Sequence, residues 1–155
     1  GRPALTMSSL IFSSLIPFMS RATYRSLFLA RHARLFSYVK QHSRMIPYLH
    51  SCGSIHRVIP RLIAAGVNCL HPLQAKAAKM DAETLARDFG GKIAFLGGVD
   101  TQGVLNLGTP DEVKAEVRRI KDVLGPCLIV SPSHEAILPD VPPRNVAAMA
   151  EAAAE

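Results

Sequence analysis

The first residues able to do chemistry are His50 and Cys52, in the run His50-Ser51-Cys52-Gly53. An apolar stretch, Met45, Ile46, Tyr48 and Leu49, ends there in an imidazole and a thiol two residues apart. A run of this kind closed by glycine predicts a buried strand entering a turn. A His-x-Cys pair at such a strand end offers a nitrogen and a sulfur donor suited to zinc. Two donors do not complete a site, so a third must come from elsewhere in the chain. Comparable residues recur downstream: His71 and Gln74 after residues 67–70, Asp100 after 93–96, and Ser131, Ser133, His134 and Glu135 after 127–130.

Each residue also has a plainer reading. A histidine at a strand end can be structural or contact a substrate. Asp100, after Gly97-Gly98, can bind a substrate or cap its own loop. Cys69 and Cys127 sit inside apolar runs and read as small buried hydrophobes. Asp140 lies among prolines and reads as a turn residue, while His32, His42 and His56 read as solvated.

The elements that would position these residues follow from periodicity. Residues 1–20 show no clear period and predict coil with at most a short helix. From 21 to 42, Tyr24, Leu27, Phe28, Leu35, Phe36 and Val39 recur at helical spacing, with an interruption near Ala30. A strand over 45–50 precedes a helix closed by Gly66, and a second strand covers 67–70. Asp81 caps the next helix, Gly90-Gly91 ends it, and residues 93–96 form a third strand. Thr109-Pro110-Asp111-Glu112 carries a capping box with proline at the first helical position, and the helix runs to Gly125-Pro126. A fourth strand over 127–130 and a last helix from Pro143 complete the order.

Four short apolar strands, each followed by a helix, predict an α/β protein with a parallel sheet, either a small open sheet or half of an eight-fold barrel. No glycine-rich phosphate fingerprint follows any strand. In both architectures ligands gather at the carboxyl ends of the strands. In a barrel the first and fourth of these strands lie across the mouth, so His134 can close a His50, Cys52, His134 set.

The 155 residues are 48% hydrophobic and 19% charged, an ordinary globular composition. Residues 1–80 hold eleven Lys and Arg and no acid, whereas 81–155 hold seven and all twelve acids. The bases are dispersed and aromatics are scarce, which argues against nucleic acid. The asymmetry instead predicts a fragment of a larger, more acidic protein. Three cysteines form no even framework and predict a reducing, cytoplasmic setting. The stretch nearest to a membrane span, 4–20, is serine-rich and broken by Pro17. An acid-free start with Arg and Ser also has the look of a transit peptide, but the lack of acids continues far beyond one.

Several stretches occur in order, and at similar spacing, in one family: His50-Ser51-Cys52-Gly53-Ser54-Ile55, Ala65-Gly66-Val67, His71-Pro72-Leu73-Gln74, Gly97-Gly98-Val99-Asp100, Gly108-Thr109-Pro110, and Ser131-Pro132-Ser133-His134 through Pro143. The chain resembles, over roughly residues 20–153, the C-terminal half of the uroporphyrinogen decarboxylase superfamily, which includes corrinoid-linked methyltransferases. The resemblance implies the C-terminal half of a (β/α)8 TIM barrel over 21–155, behind a poorly defined segment 1–20. Ala30 stands where many relatives have proline.

Decarboxylases of the family lack His-x-Cys at this strand. The methyltransferase branch carries it, and there His-x-Cys and a later Cys bind zinc, which holds a reactive thiolate. His50 and Cys52 match the first two ligands, and His134 stands where the branch has Cys. The resemblance thus implies zinc on His50, Cys52 and His134, a corrinoid presented by a partner protein, and methyl transfer to a thiol or related acceptor. His134 and Asp100 would be catalytic, and Gln74, Asp100 and Ser133 would bind a small-molecule substrate. One alternative is a porphyrinogen carboxy-lyase of tetrapyrrole biosynthesis, which needs no cofactor and has a histidine near its last strand. The other is an inactive truncated fragment or binding module. A half barrel has two open sheet edges and an uncovered inner face, which predicts self-association unless the missing N-terminal half covers them.

Overall fold

In the computed structural model, which describes residues 10–12, 20–134 and 136–155, five parallel strands lie side by side in the order the chain makes them. They are β1 (Leu10–Phe12), β2 (Tyr48–His50), β3 (Cys69–Leu73), β4 (Ala94–Val99) and β5 (Leu128–Pro132). Between and after them come α1 (Arg21–Thr23), α2 (Leu29–His42), α3 (Ile59–Ala64), α4 (Ala82–Phe89), α5 (Val104–Leu107), α6 (Pro110–Leu124) and α7 (Pro143–Ala154). Right-handed crossovers in a sheet whose strand order never reverses place every helix on one face. An open doubly wound sheet needs such a reversal. The fold is therefore α/β and forms part of a barrel wall.

Burial agrees with a wall that has two unlike faces. Leu49, Leu70 and Phe95 join the helix-side core with Leu62, Leu85, Val113, Val117 and Ile120. The parallel registers Leu49↔Leu70 and Leu70↔Phe95 keep these side chains on one face. The alternating positions Tyr48, His50, Cys69, His71, Leu96 and Ile129 then fall on the opposite, inward face. Of these, Ile129 on the last strand is 44% exposed, because β5 has no further neighbour among the described residues.

Several expectations change. A fifth strand, β1, pairs with β2 (Leu10↔Tyr48 to Phe12↔His50) where coil or a short helix was expected. Three residues are too few to show an alternation. Apart from β1 and Ser20, the rest of 1–20 lies outside the described residues. The first helix breaks earlier than Ala30, at a π-helical turn over Tyr24–Phe28. Tyr24, Phe28, His32 and Phe36 recur every four residues, a spacing that drifts around a 3.6-residue helix. The wider π turn offsets that drift and brings the four rings into contact, with His32 centred 5.7 Å from Tyr24 and 5.8 Å from Phe36. His32 is thus buried rather than solvated, and Tyr24 Oη lies 3.1 Å from its Nδ1. Burial lowers the His32 pKa and pushes the Tyr24 phenol up to about 12. His56 is not solvated either: its ring packs at a tilt 5.1 Å from that of Phe89, and its Nε2 lies 2.8 Å from Asp88 Oδ2. Among the described residues no helix is long and apolar enough to cross a membrane.

Candidate functional site

The carboxyl end of β2 delivers His50 to the inward face, where only 3% of it is exposed. Its register partner is His71 on β3, one strand away. The rings lie 4.9 Å apart and the two Nδ1 atoms 2.9 Å apart, so one of these nitrogens donates and the other accepts. On the other side of the His50 ring, Nε2 is 3.3 Å from Cys52 Sγ. The loop carrying Cys52 is tied to the next βα unit at three points. Ser51 N donates to His71 O at 2.7 Å, Gly53 N to Gln74 Oε1 at 2.5 Å, and Ser54 Oγ to Ala78 O at 2.7 Å. Cys69, two residues before His71, is buried, and burial pushes its thiol up to about 11, so it stays protonated.

A second group forms at the ends of β4 and β5. Gly97 and Gly98 both have positive φ (+128° and +97°), and a Cβ on Gly97 would sit 2.7 Å from Leu73 N. Only glycine lets β3 and β4 approach this closely, and the turn that follows aims Asp100 into the barrel mouth. Asp100 is 7% exposed. Its Oδ1 accepts from Gln102 N at 3.0 Å, and Lys76 Nζ lies 3.5 Å from its Oδ2. Room for this carboxylate depends on Gly103, where a Cβ would come within 2.6 Å of Oδ2. Ser133 N donates to Val99 O at 2.7 Å, continuing the β4–β5 ladder past its end. Its buried Oγ accepts from Thr101 N at 3.2 Å. His134 is exposed, and its Nδ1 accepts from Ala136 N at 3.4 Å. Gln74, Lys76, Asp100, Thr101, Ser133 and His134 line one cavity of about 260 Å³.

The structure thus brings Gln74, Asp100, Ser133 and His134 together, and His50 and Cys52 together. It does not unite the two sets through His134. Among the described residues no group of three or more His, Cys, Asp or Glu side chains is arranged to hold a metal ion. Of the expected His50, Cys52, His134 set, the structure brings the first two within 3.3 Å of each other, and His134 stands at the end of β5. β2 and β5 are three strand spacings apart, about 14 Å along the sheet at ~4.8 Å each. The imidazole that meets His50 is His71, one spacing away. Its signal was available in the sequence, since parallel strands ending in His50 and His71 place both at one rung. Lys76 was also missed, because a lone lysine in a loop carries no pattern. Glu135 lies outside the described residues.

The donors nonetheless match zinc at two corners. A tetrahedral ion with Zn–S near 2.3 Å and Zn–N near 2.0–2.1 Å would hold the two donor atoms about 3.6 Å apart, close to the 3.3 Å between Cys52 Sγ and His50 Nε2. His50 would ligate through Nε2 while Nδ1 is oriented by His71, the outer-shell arrangement of metal-binding histidines.

The family model for uroporphyrinogen decarboxylase matches residues 8–155. A methyltransferase from Methanosarcina mazei has a similar structure, with a TM-score of 0.75 at 22% sequence identity. The alignment covers 94% of this chain and 41% of that one, so the chain spans less than half of the relative's length. At this identity the likeness concerns the fold. No curated protein matches the chain at a significant level.

Proposed function

The chain belongs to the uroporphyrinogen decarboxylase family, and we propose that it supplies the thiol–imidazole side of a barrel that transfers a methyl group to a thiol or related acceptor. The observation that carries this reading is the 3.3 Å approach of Cys52 Sγ to His50 Nε2 at the strand-end mouth. His50 and Cys52 would hold zinc, with His71 fixing the imidazole. When His50 Nδ1–H donates to His71 Nδ1, the lone pair of Nε2 turns toward Cys52, which is the ligating tautomer. Bound zinc would supply the Lewis acidity that keeps an acceptor thiol as thiolate at neutral pH. The acceptor's polar end would occupy the adjoining cavity, where Asp100, Lys76 and Ser133 offer acceptor, cation and hydroxyl. The methyl donor would be a corrinoid presented by a partner protein. The remaining wall of the barrel, from this polypeptide or another, would complete the mouth.

A second reading, a porphyrinogen carboxy-lyase, draws support from the cavity itself. Its His134, Asp100 and Lys76 stand apart from the thiol, and a cofactor-free decarboxylation would leave Cys52 idle. Elemental analysis separates the two readings. Near-stoichiometric zinc, lost in Cys52→Ala and kept in His134→Ala, supports the methyltransferase reading. A folded chain without zinc returns the choice to the carboxy-lyase or to an inactive binding module.

A further inference from the structure

We infer that Gln74 is a positioning residue that fixes the Cys52 loop and joins it to the His134 and Asp100 cavity. The inference rests on the reading above in taking Cys52 as a functional residue. Of the three ties holding that loop to the next βα unit, two end on backbone carbonyls, of His71 and Ala78. The third, from Gly53 N, ends on the side chain of Gln74. That bond reaches the residue directly after Cys52, at a glycine with φ +81°. Gly53 N–H is a donor, so the amide oxygen of Gln74 must face it, and the other end of the amide is N–H only. Gln74 is also part of the lining of the 260 Å³ cavity, with Lys76, Asp100, Ser133 and His134. One amide therefore meets both groups. It accepts from the loop that carries the thiol, and its NH2 group is left to donate to a molecule in the cavity. The moiety it selects there is an oxygen acceptor such as a carboxylate or carbonyl, with Lys76 beside it.

The test uses the accessibility of Cys52, with the other two thiols as internal controls: Cys127 is half-buried and Cys69 is 5% exposed. The full chain is alkylated with iodoacetamide in excess chelator, at the high-pH rate plateau, and each cysteine is followed by mass spectrometry. The result is then independent of whether the pair holds zinc. Gln74→Met removes the acceptor at similar volume, and Gln74→Glu keeps an acceptor oxygen. Losing one hydrogen bond should raise the Cys52 rate relative to Cys127 about 3- to 10-fold in Gln74→Met, and Gln74→Glu should restore it. Three results overturn the inference: a ratio unchanged in Gln74→Met, a Gln74→Glu rate equal to that of Gln74→Met, or a rise shared by Cys69. Loss of zinc binding on Cys52→Ala bears on the metal instead, so the two ideas fail separately.

Discussion

Replacing Gly97 by alanine tests whether the mouth is shaped by the close approach of β3 and β4. Gly97 has φ +128°, a region an alanine enters at a cost of about 1–3 kcal/mol. Its Cβ would lie 2.7 Å from Leu73 N, a clash with β3, while Pro132 O on the other side is at an ordinary contact distance of 3.5 Å. Leu73 is its register partner, and its amide cannot retreat without spreading the sheet. Overpacking of this kind adds roughly 1–3 kcal/mol. The sum, about 2–6 kcal/mol, is a large part of the ~5–15 kcal/mol that holds a domain together. Gly91→Ala is the matched control: φ there is +72°, but nothing lies within 4 Å of the added carbon. Its cost should be the left-handed strain alone, about 1–2 kcal/mol. Urea unfolding of both variants, at one protein concentration, reads the difference. At about 2–4 °C per kcal/mol for a chain of this size, Gly97→Ala should also melt about 4–24 °C below wild type. If the two variants lose the same stability, the Leu73 contact does not constrain the strands. The placement of Asp100 would then need another explanation.

Asn145 is fully buried, and its Nδ2 donates to Leu105 O at 3.0 Å and Gly108 O at 2.8 Å, pinning α7 to the end of α5. Asn145→Leu strands two carbonyls and should cost about 2–4 kcal/mol, read as a lower urea midpoint; a neutral outcome would mean that water replaces the amide. Asp88 is held down to about pKa 2, first by its hydrogen bonds from Arg87 and then by that from His56. A depressed carboxylate stabilises the fold above its unfolded pKa near 4 and loses that contribution as pH falls toward 2. Circular dichroism between pH 5 and 1.5 should therefore show a shallower acid transition in Asp88→Asn, and an unchanged slope would assign the acid sensitivity elsewhere.

What the sequence made legible depended on how local the cause was. The α6 start is set within four residues, and the structure has it as expected: Thr109 N donates to Glu112 Oε2 at 2.7 Å and Glu112 N to Thr109 Oγ1 at 3.3 Å. Asp81 likewise accepts from Thr84 N at 2.8 Å. Strand bounds were less legible. β3 and β4 are buried along most of both faces, so no alternation marks their ends, and each runs about three residues past the expected stop, to Leu73 and Val99. The π turn at Tyr24 was hidden for a related reason, since a spacing of four looks helical in a short window.

The expectation for His134 has a different origin. Strand ends can be read as points around a ring, and a ring lets any two residues meet across it. Along the sheet, neighbouring strand ends are about 4.8 Å apart, so their side chains are the first to meet. Here the ends of β2 and β3 bring His50, Cys52 and His71 together, and the ends of β4 and β5 bring Asp100, Ser133 and His134 together, with Lys76 reaching Asp100 from past β3. A residue that serves both pairs has to stand between them, and Gln74, just past the end of β3, does so: it holds Gly53 on one side and lines the Asp100 cavity on the other. The motif spacing names the participants, but the sheet order determines which of them act together.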